Sequence, residues 1–81
     1  MQLHLSKKAE KFLLKADNAT ARRINLALEG LIEIPPTGDI KPYKSIEGGF
    51  RLRVGSYRII FCKEMDIIWV IDIDSRGQIY N

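Results

Sequence analysis

Three arginines lie close together in a stretch that contains no acidic residue, and their side chains are of the kind that binds phosphate. Arg51, Arg53 and Arg58 all fall within residues 50–62. A guanidinium group is planar, stays charged at physiological pH and presents several N–H donors in a fixed fork that matches the oxygens of a phosphate. The first hypothesis is therefore a binding site for an anion such as a phosphate.

The pattern around the arginines predicts a β-hairpin that brings them together. Apolar and polar residues alternate over 50–54 and again from residue 57, with Gly55-Ser56 between the two runs. Alternation on both sides of a two-residue break that contains glycine is typical of a hairpin, and so short a loop fixes the register. The register that follows pairs Val54 with Tyr57, Arg53 with Arg58, Leu52 with Ile59 and Arg51 with Ile60.

This register puts the three arginines on one face of the sheet. Like charges directly opposite each other are destabilising, which favours an anion bound between them. The alternative is a solvent-facing surface on which the arginines pair with acids from elsewhere in the chain. Asp72 and Asp74 are two residues apart and so share a face of a later strand. We interpret them first as salt-bridge partners of arginines, and second as a candidate general base.

Length and composition predict a single packed domain that spans residues 1–81. The chain is 46% hydrophobic and 28% charged, with a net charge of +3. It has no apolar run of the roughly 20 residues that a membrane span needs and no signal sequence, so we expect a cytoplasmic protein without a membrane partner. The single cysteine, Cys62, excludes an internal disulfide and a cysteine-based zinc site. With His4 as the only histidine, we expect a surface residue there, and no metal or cofactor.

Two helices are predicted before the hairpin. Ser6 is a candidate N-cap for a first helix, on which Ala9, Phe12, Leu13 and Ala16 form the apolar face. Its row of Lys7, Lys11 and Lys15 is either a solvated face or a contact with a phosphate backbone. A second helix is predicted from about Ala19 to Glu33. Its buried stripe comprises Ile24, Ala27, Leu28, Leu31 and Ile32.

Gly30 interrupts this stripe and indicates either close packing or early fraying. Pro35-Pro36 ends the second helix, and a short strand is predicted at Tyr43–Ile46. A four-residue turn at 63–66 leads into the strand Ile67–Ile73, which would set Ile71 opposite Arg58. Because this strand is apolar on both faces, it is predicted to be central, with Trp69 in the core.

The order of elements predicts an α+β domain. A strand at Gln2–Leu5 comes first, followed by an antiparallel two-helix hairpin and a three- or four-stranded antiparallel meander. The helices would cover one face of the sheet, and the other face would then carry the arginines.

Two motifs resemble those of the RelE/ParE toxin superfamily of bacterial toxin–antitoxin modules. The run Arg51-Leu52-Arg53-Val54-Gly55, followed by Tyr57-Arg58-Ile59-Ile60-Phe61, is similar to the central signature of that superfamily. The ending Ser75-Arg76-Gly77-Gln78-Ile79-Tyr80 is similar to its terminal motif, and Lys44-Ser45-Ile46-Glu47-Gly48 matches the approach to the hairpin. The resemblance covers essentially the whole chain, and the RelE branch is favoured.

The resemblance implies a ribosome-dependent mRNA endoribonuclease that needs no metal. Its partners would be a cognate antitoxin, the 70S ribosome and mRNA. Arg58 would be the main phosphate clamp, Arg76 would bind the phosphate or the leaving oxygen, and Tyr80 would stack on or orient a base. Arg51 and Arg53 would stabilise charge at positions where the RelE branch often has lysine. The residues expected to contact RNA are Lys44, Arg51, Arg53, Lys7, Lys11 and Lys15.

The chain departs from the RelE pattern because it offers no ordinary general base. Arginine deprotonates too poorly to serve as one, and Ser75 stands where many family members have histidine. Tyr80 as a phenolate, a ribosomal group or electrostatic lowering of the pKa of the ribose 2′-OH would have to substitute. Two alternatives stay open: a ParE-like protein that inhibits DNA gyrase by binding, and a catalytically degenerate module that only binds an antitoxin.

Overall fold

One five-stranded sheet and two helices make up the part of the chain that the structure, a computed structural model, describes: residues 1–75. The sheet order is β1-β5-β4-β3-β2, with β1 parallel to β5 and all other neighbours antiparallel. This arrangement confirms the predicted α+β class, with an N-terminal strand and an antiparallel meander. The elements are β1 Gln2–Leu5, α1 Lys7–Lys15, α2 Asn18–Ile32, β2 Asp39–Tyr43, β3 Gly49–Val54, β4 Tyr57–Glu64 and β5 Ile67–Asp74.

Both helices begin at polar caps. Ser6 accepts a hydrogen bond from the backbone N–H of Ala9 at 3.1 Å, as predicted for the start of α1. Asp17 caps α2 by accepting from the N–H of Thr20 at 3.1 Å. These hydrogen bonds from Thr20 hold the pKa of the exposed Asp17 carboxyl below its ordinary value. Each cap satisfies one of the backbone N–H groups that a helix leaves unpaired in its first turn.

The core lies between the helices and one face of the sheet. Ile24, Leu28 and Leu31 of α2 are buried there, as predicted, and Ala27 is half-buried. Ile32 was expected in the same stripe but is exposed, because it lies about 100° around the helix from Leu31 and is the last helical residue. The strands and α1 supply the remaining core residues: Ala9, Leu52, Ile59, Phe61, Ile68, Val70 and Ile73.

Gly30 allows the segment after α2 to pack closely against the helix. A Cβ atom at this position would overlap the hydroxyl of Thr37 and lie 3.3 Å from its carbonyl oxygen. The N–H of Thr37 donates to the Gly30 carbonyl at 3.0 Å. Close packing is therefore the reason for glycine within the apolar stripe.

The arginine hairpin has the predicted register. Val54 pairs with Tyr57, Arg53 with Arg58, Leu52 with Ile59 and Arg51 with Ile60. Gly55 has a φ of 60° at the first position of the two-residue loop. A positive φ at this position is what a type II′ hairpin turn requires.

Two predicted connections were wrong. The strand before the hairpin is Asp39–Tyr43, and the segment predicted as strand at Tyr43–Ile46 instead turns after residue 43. The turn into β5 has two residues, 65 and 66, because Met65 adopts a φ of 55°. An irregularity in the β4–β5 ladder between Ile60 and Phe61 then shifts the register, so that Arg58 lies opposite Asp74 and not opposite Ile71.

Trp69 was predicted to lie in the core and does not. It is 39% exposed. The prediction that β5 is central was correct, since β5 lies between β1 and β4. The side chains of Ile68 and Val70 point to the helices, so Trp69 between them points to the opposite face. Among residues 1–75, no helix is long and apolar enough to cross a membrane.

Candidate anion-binding site

The arginines lie on the sheet face that points away from the helices, which we call the outer face. Leu52 and Ile59 belong to the core on the helix side. Arg51, Arg53 and Arg58 alternate with these residues along β3 and β4, so they share the outer face, as predicted.

A row of four charged residues crosses the outer face. Asp39 of β2 lies opposite Arg53, Arg53 lies opposite Arg58, and Arg58 lies opposite Asp74 of β5. The like-charged pair in the middle is therefore flanked by a carboxylate on each side. These carboxylates offset the repulsion that the hairpin sequence alone implied.

Two of the arginines form ion pairs. The Nη2 atom of Arg51 lies 3.7 Å from Oδ1 of Asp39, and the Nη2 atom of Arg58 lies 3.7 Å from Oδ2 of Asp74. Hydrogen bonds between such groups are shorter, about 2.7–2.9 Å. The carboxylates thus balance charge without satisfying these donors with short hydrogen bonds.

Other donors of the same two arginines are buried and have no hydrogen-bond partner among residues 1–75. These are Nη1 of Arg51 and Nε of Arg58. The side chains are 14% and 22% exposed. A buried donor without a partner destabilises a protein, and an acceptor brought by a ligand would remove that cost. The two ion pairs therefore leave unused donors on both guanidinium groups, on a face that carries three arginines and two paired carboxylates.

Besides its charged neighbours, Arg58 has an aromatic and an apolar side chain near it on the outer face. Its guanidinium carbon lies 5.5 Å from the centre of the Tyr43 ring, an arrangement that gives a cation–π attraction. Ile60, on the same face and opposite Arg51, is only 3% exposed. Low local polarity strengthens the interaction of a guanidinium with an incoming anion.

The two acids predicted as arginine partners behave differently. Asp74 pairs with Arg58, as predicted. Asp72 instead pairs with Lys8 of α1, at 3.3 Å between Oδ2 and Nζ. Its Oδ1 atom is buried, and no described residue is its hydrogen-bond partner.

The other predicted site residues are scattered. Arg53 is exposed within the charged row, and Lys44 is exposed just after Tyr43. Lys7, Lys11 and Lys15 are exposed on α1, where Lys11 and Lys15 line a shallow cleft with Tyr57 and Ser75. Arg76 and Tyr80 lie outside the described residues.

His4 is an exposed residue of the outer face, as expected. Its Nε2 lies 3.0 Å from the side-chain oxygen of Gln2, and its ring lies against that of Trp69. Residues 1–75 contain no cluster of histidine, cysteine and carboxylate side chains that could hold a metal ion.

Sequence reasoning missed Asp39 and Tyr43 as parts of the site. Both belong to β2, whose position was misjudged because Asp39 and Pro42 are unfavourable in strands. Had β2 been placed correctly, the antiparallel register would have set Asp39 opposite Arg53.

Comparison with solved structures finds the same fold in RelE proteins. A chain of the RelB–RelE antitoxin–toxin complex from Methanococcus jannaschii has a TM-score of 0.74 and 28% identity, and the match covers 95% of this chain and 94% of that one. The RelE–RelB complex from Pyrococcus horikoshii OT3 gives 0.74 and 22%, with 95% and 96% covered. The isolated Escherichia coli RelE toxin gives 0.73 and 15%, with 88% and 79% covered, which shows the fold alone.

A family model identifies the sequence more directly. No protein of curated function matches the chain at a significant level. The model of the ParE toxin of the type II toxin–antitoxin system parDE matches residues 3–80, which is nearly the whole chain. The chain therefore belongs to the RelE/ParE family, the toxins of type II toxin–antitoxin systems.

Proposed function

We propose that this toxin is a RelE-type, ribosome-dependent mRNA endoribonuclease and that the outer face binds the phosphate that is cut. The observation that carries the proposal is the pair of buried donors, Nη1 of Arg51 and Nε of Arg58, that have no hydrogen-bond partner in the described part of the chain. Two guanidinium groups on one sheet face, each with a free N–H, suit the oxygens of a phosphodiester.

The reaction would be an internal transesterification. The ribose 2′-oxygen attacks the adjacent phosphorus, the bond from phosphorus to the 5′-oxygen breaks, and the products are a cyclic phosphate and a free 5′-OH. The 2′-OH loses its proton, and the departing 5′-oxygen gains one. The negative charge on the phosphate oxygens grows in the transition state, and this growth is what fixed cations stabilise.

The arginines would supply that stabilisation. Arg58 is held between Asp74 and the ring of Tyr43, so its guanidinium is oriented before RNA arrives. Arg51 is held by Asp39. By resemblance to the family, Arg76 would assist the leaving oxygen and Tyr80 would orient a base. The arginines cannot accept the 2′-OH proton, so that proton would pass to Tyr80, to the ribosome or to water.

Neutralisation would require a cognate antitoxin. The solved relatives include complexes described as antitoxin–toxin pairs. An antitoxin that covers the outer face would block access of RNA to Arg51 and Arg58.

Primer extension on a translated mRNA after brief expression of the toxin tests the proposal. Wild-type protein should cut within codons, and only while the mRNA is translated. Arg58→Ala should lower cutting by about 10²-fold or more, the usual effect of removing one such stabilising group. Arg22→Ala, which removes an exposed arginine from α2, is the matched control and should cut normally. Growth arrest with intact mRNA would exclude the proposal.

Inhibition of DNA gyrase is the second candidate, because the family model that matches residues 3–80 is that of a ParE toxin. A gyrase supercoiling assay separates the two functions. A gyrase inhibitor would block supercoiling by purified gyrase and leave translated mRNA uncut.

A further inference from the structure

Trp69 is an exposed aromatic residue in a position that the core does not explain. It lies on the outer face of the central strand β5 and is 39% exposed. The imidazole of His4, its register partner on β1, lies 4.9 Å away between ring centroids, with 35° between the ring planes. The imidazole of His4 therefore packs against the indole of Trp69, and part of the indole stays exposed on the outer face.

The register relates Trp69 to the arginines. Trp69 lies opposite Cys62, and Cys62 lies opposite Gly49, which is two residues from Arg51. With strands about 4.8 Å apart and residues about 3.3 Å apart along a strand, the Cα atoms of Trp69 and Arg51 are about 12 Å apart. One or two nucleotides of an extended single strand can bridge such a distance.

We propose that Trp69 is a stacking platform for a nucleobase of single-stranded RNA whose phosphate is bound by Arg51 and Arg58. The inference rests on the proposed function for the identity of the ligand as RNA. A flat, exposed indole beside cationic groups is the combination with which proteins hold unpaired bases and their backbone. Trp69 would then set the position of the strand on the outer face, and so the bond that is cut.

Charge on this face favours RNA over an apolar protein partner. On this face, buried guanidinium N–H groups of Arg51 and Arg58 have no hydrogen-bond acceptor among residues 1–75. On the outer face, the neighbours of Trp69 include the exposed His4 and, at the end of β4, the exposed Glu64. A stacked base needs only the indole face, whereas an apolar peptide would need a wider apolar surface.

Fluorescence of the intact protein tests stacking directly, because Trp69 is the only tryptophan in the chain. The probe is a short single-stranded RNA with 2′-O-methyl riboses, which cannot be cut by 2′-OH attack. We expect saturable quenching of the Trp69 emission by this RNA. An abasic oligonucleotide of equal length and charge should quench at least threefold less, and Arg58→Ala should weaken the apparent affinity by roughly tenfold, since charged hydrogen bonds are lost. Equal quenching by the abasic strand, or no quenching at millimolar RNA, would overturn the proposal.

Substitutions give a readout that a purely structural role would not produce. Trp69→Phe keeps an aromatic ring that can stack, whereas Trp69→Leu keeps only an apolar side chain that cannot. We expect the cut positions to be retained by Trp69→Phe and redistributed among neighbouring bonds by Trp69→Leu. Ile67→Leu, on the same face and strand, is the control. Thermal unfolding of each variant separates loss of stacking from loss of the fold.

The two proposals can fail independently. If the wild-type protein cuts no mRNA but the base-dependent quenching is seen, the endoribonuclease proposal fails and stacking at Trp69 stands. If mRNA is cut and Trp69→Leu cuts at the same bonds as Trp69→Phe, stacking is refuted and the endoribonuclease proposal stands.

Discussion

Arg58 of β4 and Asp74 of β5 occupy directly opposite positions, with 3.7 Å between Nη2 and Oδ2. Asp74 reaches this position only because the β4–β5 ladder contains an irregularity next to Ile60. Both side chains are about four-fifths buried. The carboxylate thus stabilises a guanidinium that would otherwise be a largely buried, isolated charge.

Asp74→Asn should lower stability and at the same time strengthen anion binding. The loss of one charge from a partly buried pair should reduce the free energy of unfolding by about 1–3 kcal/mol. The affinity for the 2′-O-methyl RNA should rise, because the carboxylate no longer competes with phosphate for Arg58. Urea unfolding and the Trp69 fluorescence titration measure the two effects. Asp66→Asn removes the same charge from an exposed turn, and if it has equal effects the pairing is unimportant.

Gly30→Ala should destabilise the protein even though alanine is the better helix former. Helix propensity alone favours alanine by about 1 kcal/mol. The new methyl group would, however, overlap the Thr37 hydroxyl, and Thr37 is tied to Gly30 by a backbone hydrogen bond. We expect a net loss in the free energy of unfolding, measured with urea. Thr37→Ala in the same chain should recover part of that loss. If the Gly30→Ala protein is more stable than wild type, the packing described for α2 is wrong.

Ser6→Ala should cost about 1–2 kcal/mol, because one hydroxyl makes two hydrogen bonds. It accepts from the N–H of Ala9 at 3.1 Å, and it donates to the carbonyl of Ile71 at 2.6 Å. The substitution therefore weakens both the start of α1 and the attachment of α1 to β5. Chemical denaturation should show the loss, while Ser45→Ala, at an exposed position, should stay within about 0.5 kcal/mol of wild type.

Asp17 should make the stability of α2 depend on pH in the acidic range. Hydrogen bonds from Thr20 lower the pKa of Asp17 in the folded protein. A group whose pKa is lower folded than unfolded stabilises the protein above its unfolded value, about 3.9, and that contribution is lost as pH falls through the folded pKa. Asp17→Asn keeps a capping oxygen without the titration. Unfolding midpoints measured from pH 6 to pH 2.5 should therefore fall more steeply for wild type than for Asp17→Asn, and parallel curves would contradict the assignment.

Local features of the fold could be predicted from the sequence. The two-residue break at Gly55-Ser56 determines which residues of β3 and β4 face each other, so the register and the shared face of the arginines follow directly. The residue type of Ser6 predicts the cap of α1, and helical spacing predicts the core residues Ile24, Leu28 and Leu31.

Features that depend on distant parts of the chain could not be predicted. The alternation of apolar and polar residues does not reveal the irregularity beside Ile60. The sequence therefore did not predict the register that places Arg58 opposite Asp74. Trp69 was misassigned because the apolar residues on both faces of β5 were taken to mean that both faces are buried, although the helices were predicted to cover one face only. Asp74 was predicted as an arginine partner, but Asp39 was not, because it comes from β2, a strand whose position was predicted wrongly.

The parallel pairing of β1 with β5 has a consequence for how the protein is made. β1 is the first and β5 the last strand of the described chain, yet the N–H of Ser6, just after β1, donates to the carbonyl of Val70 in β5 at 2.9 Å. The parallel pairing of β1 with β5 therefore cannot form until all the segments in between have been translated. Asp74 also lies in β5, so its ion pair with Arg58 forms only after most of the polypeptide has been synthesised.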